Sequence, residues 1–274
     1  MDKIKKGDIV TRDSYGNDIL FYIDDIVKSR GMSPIVILKG LTIRIEASAY
    51  PEDLRLESKH IIKRELDKFE NNINNKAKNL MEFYNGKESS RKLFSENNSI
   101  IMHLDGDRKY AEKSARIYDK FKLRAIVKNI KEGKQPYEIR NLLNKYNPDI
   151  VVVTGHDGMI KKGYRYNDIY NYRNSKFFVK TVQEIRNWEQ GENRISIFAG
   201  ACQSYYEAII EAGANFASSP ARILIDFMDP IVIAQRIANT PETKYITIDD
   251  VKSNLRDGER GVSGIGTYGK FKGL

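Results

Sequence analysis

The 274-residue chain contains one cysteine, Cys202. A single thiol excludes an internal disulfide and every metal site built on several cysteines. Histidine is nearly as scarce: His60, His103 and His156 are too few for a histidine-rich metal centre, so neither metal nor cofactor is expected. No apolar run approaches the ~20 residues of a membrane-spanning helix. The opening residues Met1-Asp2-Lys3-Ile4-Lys5-Lys6-Gly7 lack the hydrophobic stretch of a secretory signal. Together these absences point to an intracellular protein without membrane contact.

The chain does have apolar content for a sizeable core, 41% hydrophobic residues, and a well-charged surface, 30% of residues being ionic. Its length suits two domains, or one large domain with an appendage. Basic residues exceed acidic ones to give a net charge of +9. Such a charge can recruit nucleic acid. Here the lysines and arginines are dispersed rather than clustered, which reads as a solvated basic face, and a nucleic-acid partner is not expected. The same charge suits acidic proteins or assembled polyanionic material.

Residues 1–57 read as all-β, with short apolar strands at 6–12, 19–23, 35–38 and 43–47 separated by turn residues. This predicts a small barrel, and the Lys-x-Gly-Asp-x-Val opening resembles SH3-like and KOW-type barrels. Residues 58–98 read as a helical connector and linker. Ile61, Ile62, Leu66, Phe69, Ile73, Ala77 and Leu80 recur at helical spacing, forming a packing seam or a self-association face that would make a homo-oligomer. In the polar stretch that follows, Arg91 is a candidate site of self-cleavage, being an arginine in an exposed segment.

From 99 to 274 strand and helix patterns alternate, which predicts a mainly parallel sheet flanked by helices. Strands are expected at 100–104, 124–127, 149–154, 195–199 and 214–217, and helices at 110–121, 136–146, 177–188, 203–212 and 231–238. The tyrosine-rich stretch 158–175 is expected to border the site as a hairpin or long loop.

Two of these strands stop at a glycine beside a reactive side chain. They are Val151-Val152-Val153-Thr154-Gly155-His156-Asp157-Gly158 and Ile195-Ser196-Ile197-Phe198-Ala199-Gly200-Ala201-Cys202. Ligands of open α/β sheets bind beyond the carboxyl ends of the strands. That edge would collect Asp105, Asp107, His156, Cys202, Ser218 and Ser219. A cysteine attacks as its thiolate, and a nearby imidazole can supply the base. A helix starting at 203 would favour the anion. Glycines beside both residues let backbone amides approach a developing oxyanion, where each donor is worth roughly 3–4 kcal/mol. The predicted chemistry is acyl transfer, with Cys202 attacking a peptide carbonyl and His156 carrying the proton. The plainer alternatives are a small buried cysteine and a turn histidine bonded to backbone. Against them stands the order of the pair, histidine first and cysteine 46 residues later; in caspases the separation is about 50.

Thr154-Gly155-His156-Asp157-Gly158 and Ala199-Gly200-Ala201-Cys202-Gln203-Ser204 resemble the caspase-like cysteine peptidases. Asp157 stands between histidine and glycine, so beside the Cys202 amide the second oxyanion donor is Asp157 or Gly158. A wider set of motifs resembles the sporulation-specific YabG cysteine protease family over nearly the whole chain. It comprises the Lys-x-Gly-Asp-x-Val opening, His103-Leu104-Asp105-Gly106-Asp107, Pro148-Asp149 and Ala217-Ser218-Ser219-Pro220-Ala221-Arg222. That resemblance implies a caspase-like α/β peptidase domain with His156 and Cys202 as its catalytic pair. It also implies cleavage after arginine and protein substrates in the spore coat and cortex, met in the mother-cell cytoplasm and the coat itself.

For the arginine, Asp105 and Asp107 suit a pocket by charge-assisted hydrogen bonding; they suit a tight turn and helix cap equally well. Ser218 and Ser219 complete the candidate substrate contacts. Asp226 and Asp229 are rival carboxylates, although Asp229 before Pro230 also reads as an N-cap. The competing function is a non-catalytic spore-assembly or nucleic-acid-binding protein acting through its basic surface and barrel, with Cys202 inert.

Overall fold

The computed structural model describes residues 4–28, 31–85, 98–161, 163–192 and 194–271; Arg91 and most of the expected linker lie outside them. Strands β1 (Ile9–Arg12), β2 (Phe21–Val27), β3 (Ile35–Gly40), β4 (Glu46–Ala49) and β5 (Leu54–Leu56) form one antiparallel sheet. Their order is β4-β3-β2-β1-β5. Alternate residues point to one face, so Val10, Phe21, Ile23, Val36, Leu38, Ala47 and Ala49 share a core. That core is completed from far along the chain, by Cys202 and Ile225.

The strand expected at 43–47 begins only at Glu46. Residues 41–45 leave the sheet in a tight turn, with the Gly40 amide donating to the Ile45 carbonyl at 2.9 Å and the Ile45 amide to the Ile43 carbonyl at 2.9 Å. Gly40 permits the turn because a Cβ there would strike the Ile43 carbonyl oxygen.

Helix α1 (Lys59–Asn85) follows. Its Ile73, Ala77 and Leu80 are buried against Tyr110, Ile117, Phe121 and Phe227, so this part of the apolar stripe is a packing seam within the chain.

The second sheet contains β6 (Ile101–Asp105), β7 (Ala125–Asn129), β8 (Ile150–Thr154), β9 (Ser196–Ala199) and β10 (Phe216–Ser218), all parallel. A pair, β11 (Tyr245–Ile246) and β13 (Thr267–Tyr268), lies apart, while β12 (Val262–Gly264) runs antiparallel beside β10. The glycine-rich stretch from Gly258 onward thus supplies β12 and β13. The six-stranded order is β12-β10-β9-β8-β6-β7.

Helices α2 (Arg108–Lys120) and α6 (Asp229–Ala238) join α1 on one face. Helices α3 (Gln135–Tyr146), α4 (Ser175–Trp188) and α5 (Tyr206–Glu211) cover the other. Strands covered on both faces are apolar throughout, and β8 is buried at every position. Among the described residues no helix is long and apolar enough to cross a membrane.

Strand order decides where a site can form. The chain passes from β6 outward to β7 and then returns to β8 on the other side of β6, so the crevice lies between the ends of β6 and β8. Asp105 and Thr154 are register partners at that crevice. One expectation fails nearby: α5 starts at Tyr206 rather than 203. Gln203 adopts a left-handed φ of 56°, which breaks the helix before it can reach Cys202. The N-terminus of α5 is therefore not aimed at the thiol.

Candidate active site

The turns after β8 and β9 are tied together by the Asp157 carboxylate. One oxygen accepts from the Gly158 amide at 2.8 Å and the Asn174 amide at 2.8 Å. The other accepts from the hydroxyls of Ser175 at 2.5 Å and Ser204 at 2.9 Å. Ser204 in turn accepts from the Ala201 amide at 2.9 Å, which brings the histidine turn and the cysteine turn into one network. Burial raises the Asp157 pKa to about 6 despite these bonds.

The Gly158 amide, one of the two expected oxyanion donors, thus donates to the Asp157 carboxylate. What Gly158 supplies is space, because a Cβ there would meet the Glu46 carbonyl. Ser218 and Ser219, expected to touch substrate, are both fully buried and brace the cysteine turn instead. Ser218 donates to the Ala201 carbonyl at 2.9 Å; Ser219 donates to the Ile223 carbonyl at 2.7 Å and accepts from the Gln203 amide at 3.1 Å.

Into this crevice runs the turn between β3 and β4. The Arg44 carbonyl oxygen accepts from two amides, Cys202 at 3.2 Å and Asp157 at 3.3 Å. Immediately after it, Ile45 forms a parallel bridge with Asp157, and the Glu46 amide donates to the Asp157 carbonyl at 2.7 Å. The Arg44 side chain, 1% exposed, reaches down between the strand ends. One guanidinium nitrogen lies 2.7 Å from Asp105 Oδ2, and another donates to the Phe227 carbonyl at 3.1 Å. Its carbon sits 4.8 Å from the Tyr110 ring centroid and 4.9 Å from that of Phe227. Burial alone would lower the Arg44 pKa, but the Asp105 carboxylate outweighs it and the pKa is raised.

The two readings of the Asp-Gly-Asp motif thus fall on different residues. Asp105 takes the guanidinium. Asp107 caps α2, accepting from the Lys109 amide at 2.7 Å and from the Tyr22 hydroxyl at 2.8 Å. Asp226 and Asp229 pair with Lys76, at 3.4 and 3.2 Å. Upstream of Arg44, Thr42 and Ile43 line a cleft of about 930 Å³ that also touches Phe69, Lys76 and Asp226.

Cys202 is fully buried beneath this turn, its Sγ accepting from the Ile225 amide at 3.4 Å. Burial pushes its pKa up to about 12. His156, also fully buried, lies edge-on to Tyr22 and Tyr110 with centroids 6.4 and 5.6 Å away. Its Nε2 is 3.4 Å from the Gly40 carbonyl and 3.9 Å from Asp107 Oδ2. A carbonyl can only accept, so Nε2 carries the hydrogen and Nδ1 presents its lone pair. Nδ1 has no partner. Burial lowers the His156 pKa to about 4, Asp107 opposing incompletely. In this closed arrangement thiol and imidazole are both neutral.

Arg44, Tyr110, Phe227 and the Asp157 amide carry much of this geometry, and the pattern reading named only the last, as one of two options. Ile43-Arg44-Ile45 alternates like a half-exposed strand, so nothing local marks its arginine as buried.

Proteases grip the bond they cut twice, by amides aimed at its carbonyl oxygen and by a pocket for the side chain before it. At Arg44 the carbonyl oxygen meets two amides and the side chain meets a carboxylate, contacts of these same two kinds, and the chain's relatives are peptidases. The family model for YabG peptidase U57 matches residues 5–274, and the chain belongs to that family. A curated relative, the sporulation-specific protease YabG of Bacillus subtilis, is 35% identical over 277 aligned residues, covering 97% of this chain and 96% of the relative. No solved structure matches the chain.

Proposed function

We propose that the chain is a caspase-like cysteine endopeptidase that cleaves after arginine. Cys202 is the nucleophile and His156 the base, through Nδ1. The amides of Cys202 and Asp157 hold the oxyanion, and Asp105, flanked by Tyr110 and Phe227, receives the P1 arginine. The observation that carries this reading is Arg44, whose carbonyl and side chain engage two amides and a carboxylate from three different strand ends. Residues 99–274 form the catalytic region, with 1–57 as an appended barrel-like module and 58–98 as connector.

In the reaction, Sγ bonds to the P1 carbonyl carbon as its proton passes to His156. Collapse of the tetrahedral intermediate expels the amine with that proton and leaves a thioester. Water, deprotonated by His156, then releases the P1 carboxylate and restores the thiol. Two preorganised amides are worth several kcal/mol at each tetrahedral stage. By its Bacillus relative's name we assign the activity to sporulation; spore-coat and cortex-associated proteins as substrates, and the mother cell and coat as location, are what the motif resemblance implies.

The test is turnover of fluorogenic peptides with P1 Arg, Lys, Asp or Ala by wild type and Cys202→Ala. Arginine-selective turnover that disappears in Cys202→Ala is expected. Equal turnover by both proteins, or none by wild type or by a variant freed of Arg44, refutes the reading.

A further inference from the structure

We propose that the Arg44–Ile45 peptide bond is this protein's own first substrate, cut in cis by Cys202, and that the uncut turn plugs the site until then. The proposal rests on the cysteine-peptidase reading above and adds the bond, the molecularity and the restraint.

Arg44 is oriented as the residue before a cut, not merely lodged nearby. Its side chain ends on Asp105 at 2.7 Å while its carbonyl accepts from the amides of Cys202 and Asp157. Ile45 and Glu46 then run along Asp157 as the departing side would. The upstream residues Thr42 and Ile43 lie in the open cleft. Substrate polarity, side-chain pocket and oxyanion donors therefore agree on a single bond.

Occupancy supplies the restraint. Cys202, His156 and Asp105 are each fully buried, and the turn that covers them is anchored at both ends in its own sheet, by β3 ending at Gly40 and β4 starting at Glu46. A foreign arginine cannot reach Asp105 while Arg44 holds it. Tethering makes the turn a competitor at an effective concentration on the order of millimolar.

The step balances without any co-reactant but water. Sγ bonds to the Arg44 carbonyl carbon, the carbon–nitrogen bond to Ile45 breaks, and the thiol proton leaves on the new Ile45 amine by way of His156. Hydrolysis of the thioester leaves Arg44 as a carboxylate and returns the thiol.

The full chain, with Cys202→Ala, Arg44→Gln and Arg44→Lys variants, is incubated and followed by denaturing intact mass and N-terminal sequencing. P1-Arg peptide turnover is measured in parallel. Wild type is expected to accumulate a chain beginning at Ile45 at a first-order rate independent of protein concentration. Cys202→Ala and Arg44→Gln stay whole at that bond, and Arg44→Lys, which keeps the charge and guards against a folding defect, is cut at least tenfold more slowly.

A rate proportional to concentration, a cut elsewhere such as after Arg91, or cutting that persists in Cys202→Ala overturns the proposal. Wild type that stays whole while it or Arg44→Gln turns over P1-Arg peptide overturns self-cleavage and leaves the peptidase standing. No cutting and no turnover by any variant removes both.

Discussion

Replacing Asp105 by Asn tests the arginine pocket most directly. Asn is isosteric and keeps an oxygen to accept from the Asp107 amide, which Asp105 now does at 2.9 Å. The Thr154 hydroxyl, 3.0 Å from the other oxygen, can donate instead to the Leu104 carbonyl at 3.1 Å, so the end of β6 is preserved. What disappears is the charge facing a guanidinium that is 1% exposed and 2.7 Å away. Removing one partner of such a buried pair costs about 3–5 kcal/mol, because the remaining ion has lost its compensation. Part of that is recovered from the Phe227 carbonyl and the two flanking rings, so about 3–4 kcal/mol is expected in transition-state binding, or roughly 10²–10³ in kcat/KM. The assay compares P1 arginine with P1 citrulline, which has nearly the same shape without the charge. Wild type should prefer arginine by about 10²–10³-fold, and Asp105→Asn should bring the two substrates within about tenfold of each other. Asp107→Asn should leave the preference nearly intact while costing about 1 kcal/mol of stability as a weakened helix cap. An undiminished preference in Asp105→Asn, or its loss in Asp107→Asn alone, would refute the assignment.

Three further outcomes follow from the same geometry. Tyr110→Leu removes one of two rings over the guanidinium, worth about 1–2 kcal/mol when desolvated, and should raise KM for P1-Arg peptides about 5- to 30-fold with a smaller effect on P1-citrulline. In an uncut chain such as His156→Ala, Cys202, buried and with its pKa pushed up to about 12, should react with iodoacetamide at pH 7.5 at least about 100-fold more slowly than a cysteine peptide; a comparable rate would contradict the plug. His156 and Asp157 should bend the pH–stability curve in opposite directions. The His156 pKa falls to about 4 on folding, so its contribution is complete above pH 6.5 and is lost as pH falls toward 4, about 3 kcal/mol in all. The Asp157 pKa rises to about 6, so its contribution is complete below its ordinary 3.8 and is lost as pH rises through 6. Urea midpoints at pH 4 and pH 7 should therefore move apart in opposite senses for His156→Gln and Asp157→Asn, and parallel shifts would show the sign to be wrong.

The sequence revealed the α/β scaffold well for a physical reason. Parallel strands buried on both faces are continuous apolar runs, and a strand such as Ile150–Thr154 has no other reading. Strand ends could be seen in the same way, so His156 and Cys202 were legible as residues just beyond the ends of two strands, which pair side by side. What could not be read depends on partners distant along the chain. Asp105 and Asp107 are two residues apart and chemically alike; only the position of Arg44, 61 residues upstream of Asp105, separates the guanidinium's partner from the helix cap. The helix after Cys202 was extended too far because apolar spacing carries no record of the left-handed backbone at Gln203. Ser218 and Ser219 were correctly placed at a strand end, but whether a hydroxyl faces a ligand or its own turn is settled by packing. Arg44 was hidden most completely, since a strand-like alternation conceals a turn whose hydrogen bonds are closed by Gly40.

The interleaving of the N-terminal sheet has a consequence for the cut protein. Strands β1, β2 and β3 precede Arg44 and β4 and β5 follow it, yet β4 pairs with β3 and β5 with β1. Breaking the Arg44–Ile45 bond therefore nicks the protein without dividing it, and the new carboxylate stays four residues from the end of a strand that has lost none of its pairing. The enzyme carries its first product as a captive competitor. Dilution does not relieve such inhibition, because the competitor travels with the site. The apparent KM for any other substrate is inflated by the ratio of the tether's effective concentration to its own affinity. Whatever draws the free end of β3 aside, whether a bulky substrate or a bound partner, then acts as an activator without touching the catalytic groups.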